Sequence, residues 1–356
     1  MRIINGRIDG KEIYDVYYST GGGVMVGGGS DVWVNHWIKE ISPHLKVRPI
    51  LLIHRNRPER PSIEEQDKIF KELNPNLEFY WQGDDLHRFG SLLNNARRIN
   101  ILHGYYAPHK YITNNKHKVH SNAVHCNVNK NLNANVKLGL EHSRHFYMDP
   151  RWEDEIVKLT KYPFWIGIDP PDLKNKHDHL LHIPNFYEFK HNLDVTDNNK
   201  VGFASRMETR KCPHYMQRIP SVLCTEPKDV KWWVSNLKCD IRSWKIYKFN
   251  YDFLDKFYRL DWGISHSAHI YEPFGYSIFQ AVDYGKIPIL APDWIPSYDY
   301  PFRAASPEEF REQYKKICEL SVDGRRDYVF PLREYLNKTY GDKDVWREKM
   351  LRIYND

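Results

Sequence analysis

The sequence predicts an α/β protein built from two domains with parallel sheets, and three observations predict it. The chain has 356 residues, a length that suits two α/β domains. Short apolar runs alternate with helix-period stretches, the pattern of a parallel sheet with helices on both faces. Residues 271–291 read as a Pro- and Gly-rich turn, one amphipathic helix and a short apolar strand, the repeating unit of such a sheet.

Residues 14–29 end in two glycine triplets, which include Gly22, Gly23 and Gly28, and Ser30 or Asp31 then caps a helix. That helix has an apolar stripe of Trp33, Trp37, Ile38 and Ile41. Glycine in such a loop permits positive φ and close approach of the backbone to a ligand; a flexible hairpin tip is the plainer reading. Strands are expected over 48–54, 77–81, 98–102, 123–128, 145–148 and 164–168, with helices over 62–73 and 86–97 between them. The Asn-rich run 127–135 is a loop. A polar run, 194–200, follows His182-Ile183-Pro184-Asn185, and the domain boundary is placed near residue 190.

The second domain reads as strands over 201–205, 221–225, 243–249 and 262–265, with helices over 228–237 and 251–260, followed by the unit 271–291. Ser306-Pro307-Glu308-Glu309 is a capping box that opens a helix carrying Phe310, Tyr314 and Ile317. A last helix is expected over 343–354.

Composition narrows the function classes. No apolar run reaches the length of a membrane span and the first residues carry no signal-peptide pattern, so no stable membrane insertion is expected. Five cysteines, Cys126, Cys212, Cys224, Cys239 and Cys318, are scattered without a Cys-x-x-Cys, which reads as reduced thiols in a cytoplasm. His177, His179 and His182 lack a cysteine or carboxylate frame, so no metal site is expected there. The net charge of +6 is mild, but its distribution is uneven. Residues 101–140 hold Lys110, Lys116, Lys118, Lys130 and Lys137, five histidines and no acid, and Arg55, Arg57 and Arg60 lie in a loop of the same half. A polyanionic partner explains this, as does a solvated basic face.

Two motifs carry chemistry. In Tyr271-Glu272-Pro273-Phe274-Gly275-Tyr276-Ser277, the turn leaves backbone N–H groups at a helix N-terminus, where a diphosphate meets the positive end of the dipole. A Glu beside that turn accepts hydrogen bonds from sugar hydroxyls. In Val201-Gly202-Phe203-Ala204-Ser205-Arg206-Met207-Glu208-Thr209-Arg210-Lys211, a strand is followed by an Arg and, five residues on, a Lys. Arg makes bidentate phosphate contacts and Lys acts as a point charge.

Together these segments resemble the signatures of retaining GT-B glycosyltransferases. The resemblance implies two Rossmann-like domains facing a cleft: an acceptor-side domain over 1–190, a nucleotide-sugar domain over 191–340, and a terminal helix over 341–356 crossing back to the first. It implies Glu272 on the sugar hydroxyls, Arg206 and Lys211 on the leaving diphosphate, and a donor site of Gly22, Gly23, Gly28, Phe274, Gly275, Tyr276, Ser277 and Gln280. The base is expected near Tyr247 and Phe249. Gln280 stands where the family pattern has a second Glu, and an amide still hydrogen-bonds ribose hydroxyls. Ser205 replaces the usual Gly. His103 ends a strand, where open α/β sheets bind ligands, and family members often carry a His in such a loop facing the sugar; a satisfied structural His is the alternative. No metal or other cofactor is implied, only a nucleoside-diphosphate sugar, UDP-linked, as donor.

Residues 200–356 further resemble phage α-glucosyltransferases that modify 5-hydroxymethylcytosine in DNA, on the Tyr215-Met216 pair, the Phe-Gly-Tyr motif before a Gly-x-Ile-Pro strand, and the Glu-Glu-Phe capped helix. The first domain matches in layout alone. This implies double-stranded DNA as acceptor, with the base flipped out of the duplex, in the host cytoplasm of a bacteriophage. Arg55, Arg57, Lys110, Lys116, Lys118, His125 and Asn127 are then the candidate DNA contacts, on a chain expected to be a monomer. A cell-envelope glycan or lipid-linked acceptor is the alternative, and a non-catalytic nucleotide-sugar or DNA-binding module is the second alternative. The resemblance leaves the sugar open, hexose or pentose.

Overall fold

The structure, a computed structural model, describes residues 7–8, 11–19, 29–53, 63–81, 86–103, 112, 114–124, 157–168, 178–205, 207, 211–249, 251–269, 272 and 274–356. The chain forms two compact units, Met1–Asn185 with Asp344–Asp356, and Phe186–Lys343. Among the described residues no helix is long and apolar enough to cross a membrane.

In the first unit, a small antiparallel hairpin of β1 (Arg7–Ile8) and β2 (Lys11–Glu12) precedes the main sheet. That sheet comprises β3 (Tyr14–Ser19), β4 (Arg48–Ile53), β5 (Glu78–Trp81), β6 (Arg98–His103), β7 (Val119–Val124), β8 (Tyr162–Trp165) and β9 (Leu181–His182). Its order is β5-β4-β3-β6-β7-β8-β9 and every pairing is parallel. Helices α1 (Gly29–His36), α2 (Ile63–Leu73) and α3 (Leu86–Asn95) lie in the connections from β3 to β4, β4 to β5 and β5 to β6. Central strands buried on both faces carry apolar side chains at consecutive positions, and Val16, Ile50, Leu52, Ile99 and Ile101 share one core with Phe89 and Leu93 of α3. The Trp33 indole N–H donates to the Leu102 carbonyl at 2.8 Å and fastens α1 to β6.

Strand β7 begins earlier than its apolar residues predict, and positions 125–128 lie outside the described residues. Its first half is polar yet buried, and His120 and Ser121 find partners there. Ser121 Oγ donates to Asn100 Oδ1 at 2.7 Å, and His120 Nε2 lies 3.0 Å from the Ile353 carbonyl.

The second unit has β10 (Val201–Ala204), β11 (Ser221–Thr225), β12 (Trp244–Lys248), β13 (Ile264–Ser267) and β14 (Ile287–Leu290), all parallel, in the order β12-β11-β10-β13-β14. Its helices are α4 (Pro227–Leu237), α5 (Tyr251–Tyr258), α6 (Tyr276–Asp283), α7 (Pro307–Cys318) and α8 (Val322–Tyr340). Gly202 is required on β10: a Cβ there would stand 2.2 Å from the Trp262 ring. The capping box forms as expected at Ser306, whose Oγ accepts from Glu309 N–H at 3.1 Å. Helix α8 has no counterpart among the expected elements, and it carries Pro331 in its interior.

The last helix, α9 (Lys343–Asn355), packs in the first unit. Trp346 meets Trp33 edge-on at 5.5 Å, and Tyr354 meets Tyr17 at 5.2 Å.

Candidate active site

In an open parallel sheet, ligands bind outside the carboxyl ends of the strands where the strand order reverses. In the second unit that point lies between β10 and β13. The segment leaving β10 carries Lys211, and the segment leaving β13 carries Glu272. Lys211 Nζ donates to Glu272 Oε2, and side-chain exposures of 9% and 13% leave the pair little open to water. Two residues 61 apart in sequence thus form one charged centre at the switch point.

Glycine sets the next step. Gly275 has φ +79° and caps α6, a left-handed conformation that costs other residues strain. Its hydrogen would become a Cβ 3.0 Å from Glu272 Cγ in any other residue, so the same glycine also makes room for the carboxylate. The first turn of α6 follows at once, with Ile278 N–H donating to the Gly275 carbonyl at 2.8 Å. Phe274 and Tyr276 turn their side chains into the core: Phe274 stacks on Phe279 at 4.4 Å, and Tyr276 lies 4.8 Å from Phe274. What these two bring to the turn is backbone. Ser277 and Gln280 are half-buried on α6; the Ser277 carbonyl accepts from Tyr258 Oη at 3.3 Å and the Gln280 carbonyl from Tyr284 N–H at 3.1 Å.

The other end of α6 is locked. Asp283, fully buried, accepts from Arg333 Nη2 at 2.8 Å and from the backbone N–H of Lys190 at 3.1 Å and of His191 at 3.3 Å. Tyr187 Oη donates to it at 3.3 Å. The helix that presents its N-terminus to the site is therefore fixed at its C-terminus by a satisfied ion pair.

Two histidines absent from the sequence reading lie beneath the charged centre. His269 is buried, with Nδ1 at 3.7 Å from Glu272 Oε2. His266, on β13, donates from Nε2 to the Cys212 carbonyl at 2.9 Å, and its Nδ1 accepts from Ala268 N–H at 3.4 Å. Burial pushes its pKa down to about 3. The signal that could have found them is position: both follow strand-like residues just before the Glu-Pro-Phe-Gly turn.

Tyr247 and Phe249 are half-buried at the end of the edge strand β12 and pack against the core that includes Val222, Cys224 and Phe257. The Tyr247 ring meets Phe253 at 5.2 Å, and Phe249 N–H donates to the Thr225 carbonyl at 3.1 Å.

In the first unit the order reverses between β3 and β6, where Ser19 is in register with His103. The backbone of His103 thus ends a strand at the switch point. The His103 side chain, Gly22, Gly23, Gly28, Arg55, Arg57, Lys110, His125, Asn127 and Arg206 lie outside the described residues. Lys116 and Lys118 are half-buried on a turn before β7, and Lys118 Nζ donates to the Asn94 carbonyl. His120, counted in the basic run, is turned inward, and burial lowers its pKa. His179 and His182 place Nε2 at 2.8 Å and 2.9 Å from the carbonyls of Val157 and Gly167. Among the described residues no group of three or more His, Cys, Asp or Glu is placed to hold a metal ion.

No protein-family model and no curated protein sequence matches the chain. Solved structures do. S. aureus TarM, in complex with fondaparinux, α-GlcNAc-glycerol and UDP, superposes with a TM-score of 0.67 at 10% identity over 97% of this chain and 100% of that one. The pneumococcal O-GlcNAc transferase GtfA, in complex with UDP and GlcNAc, gives 0.66 at 8% identity over 97% and 99%. The DNA-modifying β-glucosyltransferase whose structure was solved with and without uridine diphosphoglucose gives 0.51 at 9% identity over 97% and 100%. With its two parallel sheets and these neighbours, the chain has the fold of the GT-B glycosyltransferases.

Proposed function

We propose that the protein is a retaining glycosyltransferase that takes its sugar from a UDP-linked donor. The observation that carries this reading is the Lys211–Glu272 pair at the switch point, beside the Gly275-capped N-terminus of α6. A nucleotide-sugar offers each group a better partner than the other. Its diphosphate draws the Lys211 ammonium, and its sugar hydroxyls draw the Glu272 carboxylate. The α6 N-terminus adds the positive end of its dipole to the same anion. Arg206, five residues before Lys211, would supply the second cation. UDP in the complexes of the TarM and GtfA structures supports the choice of nucleotide.

Catalysis in this reading is positioning and charge stabilisation. The bond from the anomeric carbon to the diphosphate oxygen breaks as the acceptor oxygen bonds to the same face. The departing diphosphate, neutralised by Lys211, takes the acceptor proton. Retention is tested by the anomeric configuration of the product in an NMR spectrum. The residues are tested by donor turnover: Lys211→Ala and Glu272→Ala should each lower it by about 100-fold to 1000-fold. Near-wild-type turnover in the double variant would remove the claim.

The acceptor we propose is 5-hydroxymethylcytosine in duplex DNA. The layout of residues 200–356, the acid-free basic run 101–140 and the fold likeness to a DNA-modifying glucosyltransferase support it. Cytosine hydroxyls inside a duplex are out of reach, so the base would be flipped out, with lysines and arginines holding the flanking phosphates. Binding to duplex should then fall steeply with salt, and Lys116→Glu with Lys118→Glu should weaken it while donor hydrolysis is unchanged. Salt-insensitive binding would end the DNA reading. A glycan, lipid-linked or protein hydroxyl is the second reading, favoured by the higher TM-scores to TarM and GtfA, 0.67 and 0.66 against 0.51.

A further inference from the structure

We infer that His266 is a positioning residue for Lys211: by donating Nε2–H to the Cys212 carbonyl, it pins the loop that carries the lysine to the end of β13. The inference rests on the reading of Lys211 as the diphosphate-binding cation.

The sequence puts Lys211 seven residues past the end of β10, outside the strands of the sheet. Cys212 takes a left-handed φ of +50° and starts the short 3-10 turn Pro213–Met216. A strained corner of this kind relaxes unless something outside the segment holds it. His266 reaches it from outside the segment, through the 2.9 Å bond to the Cys212 carbonyl across 54 residues of sequence, beside the local bond that the same carbonyl accepts from Tyr215 N–H at 3.0 Å. The ring has little freedom. It is 2% exposed, tilts against Phe203 of β10 at 5.4 Å, lies parallel to Tyr215 at 6.0 Å and meets Phe310 edge-on at 4.8 Å. The Ala268 N–H reaches its Nδ1, so the proton is on Nε2, where the carbonyl needs it. Three residues further along the same segment, His269 abuts Glu272. One stretch at the end of β13 thus sets both partners of the charged centre, the carboxylate directly and the lysine through the Cys212 carbonyl.

Three variants separate this role from plain packing. In His266→Gln the side-chain amide N–H can replace Nε2–H. His266→Met fills the space without a donor, and His266→Asn keeps an acceptor near Ala268 but cannot reach Cys212. The primary readout is the rate at which an amine-acylating reagent modifies Lys211 in the folded protein, followed by mass spectrometry. Lys286, 3% exposed with Nζ 5.1 Å from the Trp262 ring centre, serves as the internal control for folding. Loss of one hydrogen bond shifts a local opening by up to about tenfold. We expect Lys211 to become more reactive on that scale in His266→Met and His266→Asn, with Lys286 still protected, and to stay protected in His266→Gln. With a UDP-sugar, the first two should lose turnover by up to about 100-fold, since displacement near 1 Å costs that much. Donor KM should change far less, and His266→Gln should recover kcat.

Lys211 as protected in folded His266→Met and His266→Asn as in the wild type would overturn the inference. So would exposure of Lys286 in all three variants, which would assign His266 to the fold alone. Failure of the functional reading shows separately, as wild-type protein that neither binds UDP nor turns over a UDP-sugar, and the acylation contrast decides His266 even then.

Discussion

Replacing Gly275 by alanine perturbs the candidate site in two ways that can be sized. The first is backbone strain. At φ +79° an L-residue pays about 1–2 kcal/mol. The second is displacement. The new Cβ would lie 2.9 Å from Ile278 Cδ1 and 3.0 Å from Glu272 Cγ, where ordinary contact starts at 3.4 Å and is relaxed by 4 Å. Both atoms belong to side chains, so the clash is relieved by moving Glu272 through roughly 0.4–1 Å, which disturbs its contacts with Lys211 and His269. Misplacement on that scale costs up to about 100-fold in rate. Urea unfolding should show a midpoint lowered by roughly 0.5–1 M, and donor turnover should fall by about 10-fold to 100-fold with the protein folded. Asparagine visits the left-handed region more readily, so Gly275→Asn should recover part of the stability but not the rate. An alanine variant with the wild-type midpoint and wild-type turnover would refute both halves of the reasoning.

Other outcomes follow from the same geometry. Asp283→Ala leaves the Arg333 guanidinium and two backbone N–H groups without their buried acceptor, and should destabilise by about 3–5 kcal/mol in urea titration. His266 ties stability to pH. Its folded pKa of about 3 is below the usual 6.5, so between those values the unfolded chain binds more protons than the folded one. Its contribution is therefore complete above about pH 6.5 and is lost as pH falls toward 3, and His266→Gln should flatten a plot of urea midpoint against pH in that window. Lys211→Ala should abolish the stabilisation of the protein by added UDP in a thermal melt, while Lys315→Ala, an exposed change on α7, should leave it intact.

Much of the fold was legible because the chain's local signals agree. Apolar runs at 48–53, 98–102 and 221–225 are too short for helices and became parallel strands. Gly202, Gly275 and the Ser306 capping box each mark a position where one residue type fits. Elsewhere tertiary partners replaced local signals. The polar start of β7 is buried only because Asn100 and the Ile353 carbonyl await it, from distant parts of the chain. Helix α8 contains Pro331, and its Arg325 is buried by hydrogen bonds to the carbonyls of Thr196 and Asn198, neither of which a pattern reveals. In the site, Lys211 and Glu272 stood out by their neighbours in sequence. His266 and His269 did not, because a histidine's partner is a carbonyl or a carboxylate that only the folded chain brings near.

The central claim is that the centre built on Lys211 and Glu272 moves a sugar from a UDP-linked donor to a hydroxyl. It is tested most directly by following radiolabel from UDP-sugars into duplex DNA carrying 5-hydroxymethylcytosine, unmodified duplex and a lipid-linked acceptor, with wild-type protein and Lys211→Ala side by side. The account predicts label in the hydroxymethylated duplex alone, dependent on Lys211. Label only in the lipid-linked acceptor would move the acceptor and keep the chemistry; no label in any acceptor with any UDP-sugar, and no UDP released, would contradict the claim itself.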